Sequence, residues 1–237
     1  MNTDAVEVWG KPEVGGLLFT CEHASNRVPA PWRPRPADRR LLLDHWGYDI
    51  GARMVTRRLA HHGHTVAVLS RFSRLLLDPN RDPADPTLIL RRCGDEGEPS
   101  FNRSPDYAAR IRRFHEPFHH AIDAMVRMGR PRLLLSIHSF TPVWKGVPRQ
   151  VEAGVLFDSY DDLGLRWVES LRAEGFRVEA NQPYSGKDGL IYSANRHGTV
   201  HGVPYLELEL RQDLIRSDRL AQAVARRVWS SICKAGL

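Results

Sequence analysis

With 237 residues, 42% of them apolar and 26% charged, the chain is long enough for one large α/β domain and apolar enough to bury a core. No run approaches the roughly 18 uninterrupted apolar residues of a membrane span, and three scattered cysteines, Cys21, Cys93 and Cys233, exclude a disulfide framework and a Cys-rich zinc site. The net charge of +6 comes almost wholly from arginine, with no basic run of five, no helix-turn-helix and no RNA-recognition signature, so a small anionic substrate accounts for it better than nucleic acid.

In chain order, Met1 to Gly10 carry Asp4 and Glu7 and no basic-then-apolar segment, so no secretory leader is expected and a cytoplasmic location is the default. Leu17 to Cys21 reads as a buried strand. Ala30 to Pro36 holds three prolines and reads as a surface connection. Ala37 to Gly63 is expected to be helical, with Gly63 past its end. His64 to Ser70 is a short strand and Arg74 to Leu77 a candidate for another. Asp82 to Pro99 is a long polar loop of the kind that often carries function. Ser104 is expected to cap a helix with Pro105 at its first position, continuing to about Gly129. Strands follow at 132–138, 153–157 and 176–180, with a helix near 160–174. Tyr184 to Gly189 and Asn195 to Gly198 bracket a glycine-rich loop that suits a substrate cover. Val203 to Leu210 is a strand and Ser217 to Lys234 a closing helix with Leu220, Val224 and Val228 on one face. Alternating strands and helices predict one α/β domain over residues 1–237, a mostly parallel sheet with helices on both faces.

Two of these strands each end near a histidine, His23 and His138. Ligands of open α/β sheets bind outside the carboxyl ends of the strands, and paired imidazoles suit zinc. Glu22 or Asn26 can add an oxygen ligand, as can Asp49. Adjacent strand residues face opposite ways, so Glu22 joins His23 on one ion only if the backbone turns; otherwise it orients a histidine. Asn80 and Arg81, in Asp78-Pro79-Asn80-Arg81, offer an amide and a guanidinium fork for a carboxylate, with Arg74 as a further candidate; the alternative is a turn held by Asp78 and Asn80. Ser139 stands beside the second imidazole. In Leu206-Glu207-Leu208-Glu209-Leu210 both acids share one strand face, and a glutamate beside zinc is the usual base of metal-assisted hydrolysis. Arg196 and His197 are candidates for stabilising an oxyanion.

Together these segments resemble the N-formylglutamate amidohydrolase family. The resemblance rests on Cys-Glu-His-Ala-Ser-Asn (21–26) with Val28-Pro29, Ser-Arg (73–74), Asp-x-Asn-Arg (78–81) and Ser-x-His-Ser (136–139). It continues through Pro-Tyr-Ser-Gly (183–186), Arg-His (196–197) and Leu-Glu-Leu-Arg-Gln (208–212), in order from about residue 17 to 215. It implies a fold like the zinc-dependent exopeptidases of the phosphorylase/hydrolase type. It also implies zinc-dependent hydrolysis of the N-formyl amide of an acidic amino acid, a last step of histidine degradation. The wider likeness to zinc carboxypeptidases and aspartoacylases implies that Asn80 and Arg81 grip the substrate carboxylate and that Glu209, before Leu-Arg-Gln, is the base rather than Glu207. Their His-x-x-Glu reads His23-Ala24-Ser25-Asn26 here, leaving Glu22 and Asp49 as third ligands beside His23 and His138. Another N-acyl acid as substrate, another zinc amidase or peptidase, and a non-catalytic binder of acidic ligands are the alternatives.

Overall fold

The apolar runs of the sequence form strands that are buried on both faces, which requires helices above and below them. The computed structural model describes residues 3–237. Its strands are β1 (Val6–Trp9), β2 (Leu17–Cys21), β3 (Val66–Ser70), β4 (Leu133–Phe140), β5 (Val143–Trp144), β6 (Val147–Pro148), β7 (Ala153–Leu156), β8 (Val178–Ala180) and β9 (Tyr205–Arg211). Its α-helices are α1 (Arg39–Leu43), α2 (Ala52–His62), α3 (Tyr107–Arg110), α4 (Glu116–Gly129), α5 (Asp161–Ala173), α6 (Tyr192–His201) and α7 (Asp218–Ala235), with a π-helical turn at Ile111–His115 joining α3 to α4.

Seven strands make one sheet in the order β1-β3-β2-β4-β9-β7-β8, and β5 and β6 form a separate hairpin. β3, β2, β4 and β9 run parallel. β1 is antiparallel to β3, and β7 is antiparallel to β9, so the sheet is mixed but mostly parallel, as expected. Among the described residues no helix is long and apolar enough to cross a membrane.

The period of two along each strand sorts its side chains. On one face Phe19, Leu135, Ile137, Leu206 and Leu208 pack with Val55 and Leu59 of α2, Trp167 of α5 and Val228 of α7. Each fully buried aliphatic chain there contributes about 1.5–3 kcal/mol of transfer energy. On the other face Leu18, Leu134 and Tyr205 pack under Phe118 and Ile122 of α4 and Ala194 of α6. Further along the same face the strands change to polar residues: Thr20 pairs with Ser136, Ser136 with Glu207 and His138 with Glu209. The sheet therefore carries an acidic, imidazole-bearing patch toward its carboxyl edge.

Several local expectations are corrected. The helix expected over 37–63 breaks between α1 and α2, because the chain turns there to let Asp49 N donate to His23 O at 3.0 Å. Gly51 makes that turn at φ +86°, where an added Cβ would meet Ile215 O at 2.4 Å. Arg74 to Leu77 is not a strand but a turn, in which Ser73 Oγ donates to Gly47 O at 2.7 Å. Asp106, not Ser104, caps α3, accepting from Ala109 N at 2.9 Å. The expected glycine-rich cover holds helix α6, and the edge strand β1 was not anticipated.

Candidate active site

β2 and β4 bring His23 and His138 within 4.7 Å of each other, centroid to centroid, with their rings inclined at 76°. Both rings turn Nδ1 to one oxygen, Oδ2 of Asp49, at 3.4 Å from His23 and 2.8 Å from His138. Asp49 reaches this point from the turn before α2, and its Oδ2 also accepts from Ser139 N at 3.1 Å. The far nitrogens are held by different acids. His23 Nε2 lies 2.7 Å from Asp78 Oδ1, and His138 Nε2 lies 3.1 Å from Glu22 Oε2. Ser136 Oγ donates to that same Glu22 oxygen at 2.6 Å. A carboxylate on one ring nitrogen is the arrangement that orients a histidine to present the other nitrogen to a metal.

Glu22 is thus placed at the far nitrogen of His138, because β2 alternation and its bond to Ser136 turn it along the sheet face. The convergent donor set is His23, His138 and Asp49, with ligand atoms within 4.8 Å of one another. Glu207 and Glu209 form a second triplet with His138 at the same spacing.

The electrostatics of the cluster follow from burial opposed by charge. Burial raises the Asp49 carboxyl, but the His23 charge and bonds from His138 and His23 outweigh it and hold the group well below the usual range. Glu22 is pulled down to about 2 in the same way: burial raises it, and the bond and charge of His138 and the Ser136 bond prevail. Asp78 is likewise low, against burial, through Arg74 and His23. Glu207 and Glu209 go the other way. Burial raises Glu207 to about 7, and it raises Glu209 well above the normal value, with Asp49 and Glu207 adding to the effect and His138 and Arg74 opposing it.

Five buried carboxylates, Glu22, Asp49, Asp78, Glu207 and Glu209, face the two imidazoles and Arg74. Glu22 Oε1, Glu207 Oε2 and Glu209 Oε2 are buried without a hydrogen-bond partner. Buried anions need compensating charge. Two imidazole nitrogens and a carboxylate oxygen meeting at one point among surplus anions fit a divalent cation of the zinc type.

The cluster floors a cavity of about 350 Å³. Arg74 lines it, bound to Asp78 Oδ2 at 2.7 Å and 3.6 Å from Asp49 Oδ1. Arg81 lines it too, donating to Asn80 O at 3.0 Å. Asn80 reaches the cavity wall with its amide already engaged: Nδ2 donates to Leu190 O at 3.0 Å and Oδ1 accepts from Ser193 N at 2.9 Å. It ties the Asp78 turn to the start of α6. Ser139 Oγ donates to Ile50 O at 3.0 Å. Asn26 does not line the cavity.

Arg196 and His197 are also not brought to the cavity. α6 turns them away from it: Arg196 donates to Tyr192 OH of its own helix at 3.0 Å. His197 sits between Asp123 Oδ1 and His119 Nδ1, each at 2.8 Å. The oxyanion role expected of them is therefore withdrawn. The sequence reading missed Asp78 as the partner of His23, although the residue stood in the Asp-Pro-Asn-Arg motif. It also missed the aromatic wall formed by Trp46, Phe140, Trp144 and Tyr184, for which no periodic signal exists.

A family model described as N-formylglutamate amidohydrolase matches residues 15–216. Among solved structures, the gene product Atu2144 from Agrobacterium tumefaciens is 29% identical with a TM-score of 0.88, over 98% of this chain and 94% of that one. An N-formylglutamate amidohydrolase from Ralstonia eutropha JMP134 is similar in fold, with 17% identity and a TM-score of 0.72, over 99% of this chain and 98% of that one. No curated protein matches the chain by sequence.

Proposed function

The chain belongs to the N-formylglutamate amidohydrolase family, and we propose that it hydrolyses the N-formyl or a related N-acyl amide of an amino acid with a zinc ion held by His23, His138 and Asp49. N-formylglutamate, which the family's name supplies, is the reference substrate. The observation that carries the reading is the turning of both Nδ1 atoms onto Asp49 while Asp78 and Glu22 hold the opposite nitrogens. When bound, such an ion supplies Lewis-acid polarisation of the carbonyl and lowers the pKa of water to about 7.

The chain's own groups do the rest. Glu209 lines the cavity with Oε2 unpartnered and a carboxyl raised by burial, which suits a group that takes a proton and returns it. It accepts the proton of the attacking water as the water oxygen joins the acyl carbon. It then gives that proton to the nitrogen as the C–N bond breaks. Arg81 binds the substrate carboxylate. Arg74, neutralised by Asp49 and Asp78, holds those two acids in register with the imidazoles. Ser139 N keeps Asp49 Oδ2 pointed at both rings.

The test is metal content and formate release from N-formylglutamate, measured on wild type and His138→Ala in parallel. About one zinc per chain, lost with His138 together with formate release, is the expected result. Zinc retained without formate release redirects the search to other N-acyl substrates. A protein that holds no metal after zinc is resupplied sinks the hydrolase reading.

A further inference from the structure

Beside the acids, the cavity is lined by the aromatic side chains of Trp46, Phe140, Trp144 and Tyr184, whose surroundings lock together. The His45 ring lies 4.7 Å from Trp46 and 6.2 Å from Trp144. The Arg149 guanidinium stacks 5.4 Å from Trp144 and 5.3 Å from both Phe140 and Tyr184. These contacts join three distant segments: the turn before α2, the β4–β5 connection with its hairpin, and the loop after β8. They hold Trp46, Phe140, Trp144 and Tyr184 as a collar facing the cavity.

Positive charge is scarce on the same wall. The arginines that line the cavity are Arg74 and Arg81. Arg74 is taken up by Asp49 and Asp78. Arg81 has no ion pair within 4 Å among the described residues and is the guanidinium left for a ligand anion. Arg149 stacks on these rings, donates to Tyr184 OH at 3.4 Å and does not line the cavity. A ligand with two carboxylates would leave the second against the collar or beside Glu207 and Glu209, unpaired or repelled. An aromatic group there meets ring faces and edges instead, and desolvates without an orphaned charge.

We propose that the site takes an N-acylated amino acid with a single carboxylate and one bulky apolar group, aromatic by preference, carried as side chain or as acyl group. This inference rests on the amidohydrolase reading above and names the substrate class for it.

The experiment compares N-formyl-L-phenylalanine, N-phenylacetylglycine and N-formyl-L-glutamate as substrates of the zinc-loaded protein by kcat/KM. Binding of the same three to zinc-loaded Glu209→Gln is followed through tryptophan fluorescence. One of the aromatic compounds is expected to lead N-formyl-L-glutamate roughly tenfold or more in both readouts, and which of the two leads tells the end that carries the ring. Trp144→Ala, on an exposed hairpin, should narrow that ratio. N-formyl-L-glutamate equal or superior in binding and turnover overturns this inference and leaves the amidohydrolase reading standing. An aromatic preference in binding with no turnover of any compound supports the ligand class and overturns the hydrolase reading. No preference in binding and no turnover overturns both.

Discussion

His23 Nε2 lies 2.7 Å from Asp78 Oδ1, so an acid 55 residues downstream holds the ring that β2 delivers. Asp78 also accepts from Asn80 N at 2.9 Å and from Arg74 at 2.7 Å, which makes one side chain the junction of the imidazole, the Asn-Arg turn and the arginine. Asp78→Asn preserves the turn but weakens the orientation of His23. Zinc affinity, measured by chelator competition, is expected to fall by about 10–100-fold. Unchanged affinity would remove Asp78 from the metal site.

Glu209→Gln removes the proton acceptor and keeps the shape of the cavity. Turnover should drop by about 10²–10⁴-fold with metal content unchanged, read on the same preparation. A Gln variant that works at the wild-type rate transfers the role to Glu207, two residues earlier on the same strand face.

Asn80 distinguishes scaffold from substrate contact. Asn80→Ala leaves Leu190 O and Ser193 N without their partner, and unfolding by urea should show a loss of about 1–3 kcal/mol. KM should stay near wild type if the substrate anion belongs to Arg81. A raised KM with stability unaltered would restore Asn80 to the substrate.

Glu7 offers a pH-dependent test away from the site. It anchors the edge strand β1 to α2 through Arg53 and Arg57, the latter by an Nε bond of 2.9 Å. Burial pushes its carboxyl up, and the Arg57 hydrogen bond with the charges of Arg53 and Arg57 outweighs that, so the folded value lies below the ordinary 4.5. The ionised form is therefore favoured by folding. Its contribution is fully present above the ordinary value and is lost as pH falls through the lower folded value. Glu7→Gln should cost about 1 kcal/mol at neutral pH, and the gap from wild type should close in acid. Urea unfolding of both proteins at the two pH values is the measurement, and a gap that persists in acid would mean that packing, not charge, ties the strand.

Local patterns made much of this architecture legible. Runs such as Leu17 to Cys21 and Leu133 to Ile137 are apolar without alternation because both faces are covered, and they became β2 and β4. The alternation at 206–210 placed Glu207 and Glu209 on one face, because side-chain direction in a strand depends only on parity. The same logic failed where structure depends on remote partners. The stretch 37–63 has helical spacing throughout, yet it breaks between Leu43 and Ala52, where His23 O and Ile215 constrain the turn that carries Asp49 and Gly51.

The sequence by itself determined which strands carry imidazole and carboxylate, since covalent order and period-two geometry suffice for that. Only the tertiary structure decided what each polar atom binds. It set Glu22 at the far nitrogen of His138, gave Asp78 to His23, spent the Asn80 amide on Leu190 and Ser193, and turned His197 away toward Asp123 and His119. Those pairings join residues between 55 and 116 positions apart in the chain, and a hydrogen bond is selected by distance and direction in space. Neither quantity is written in residue spacing.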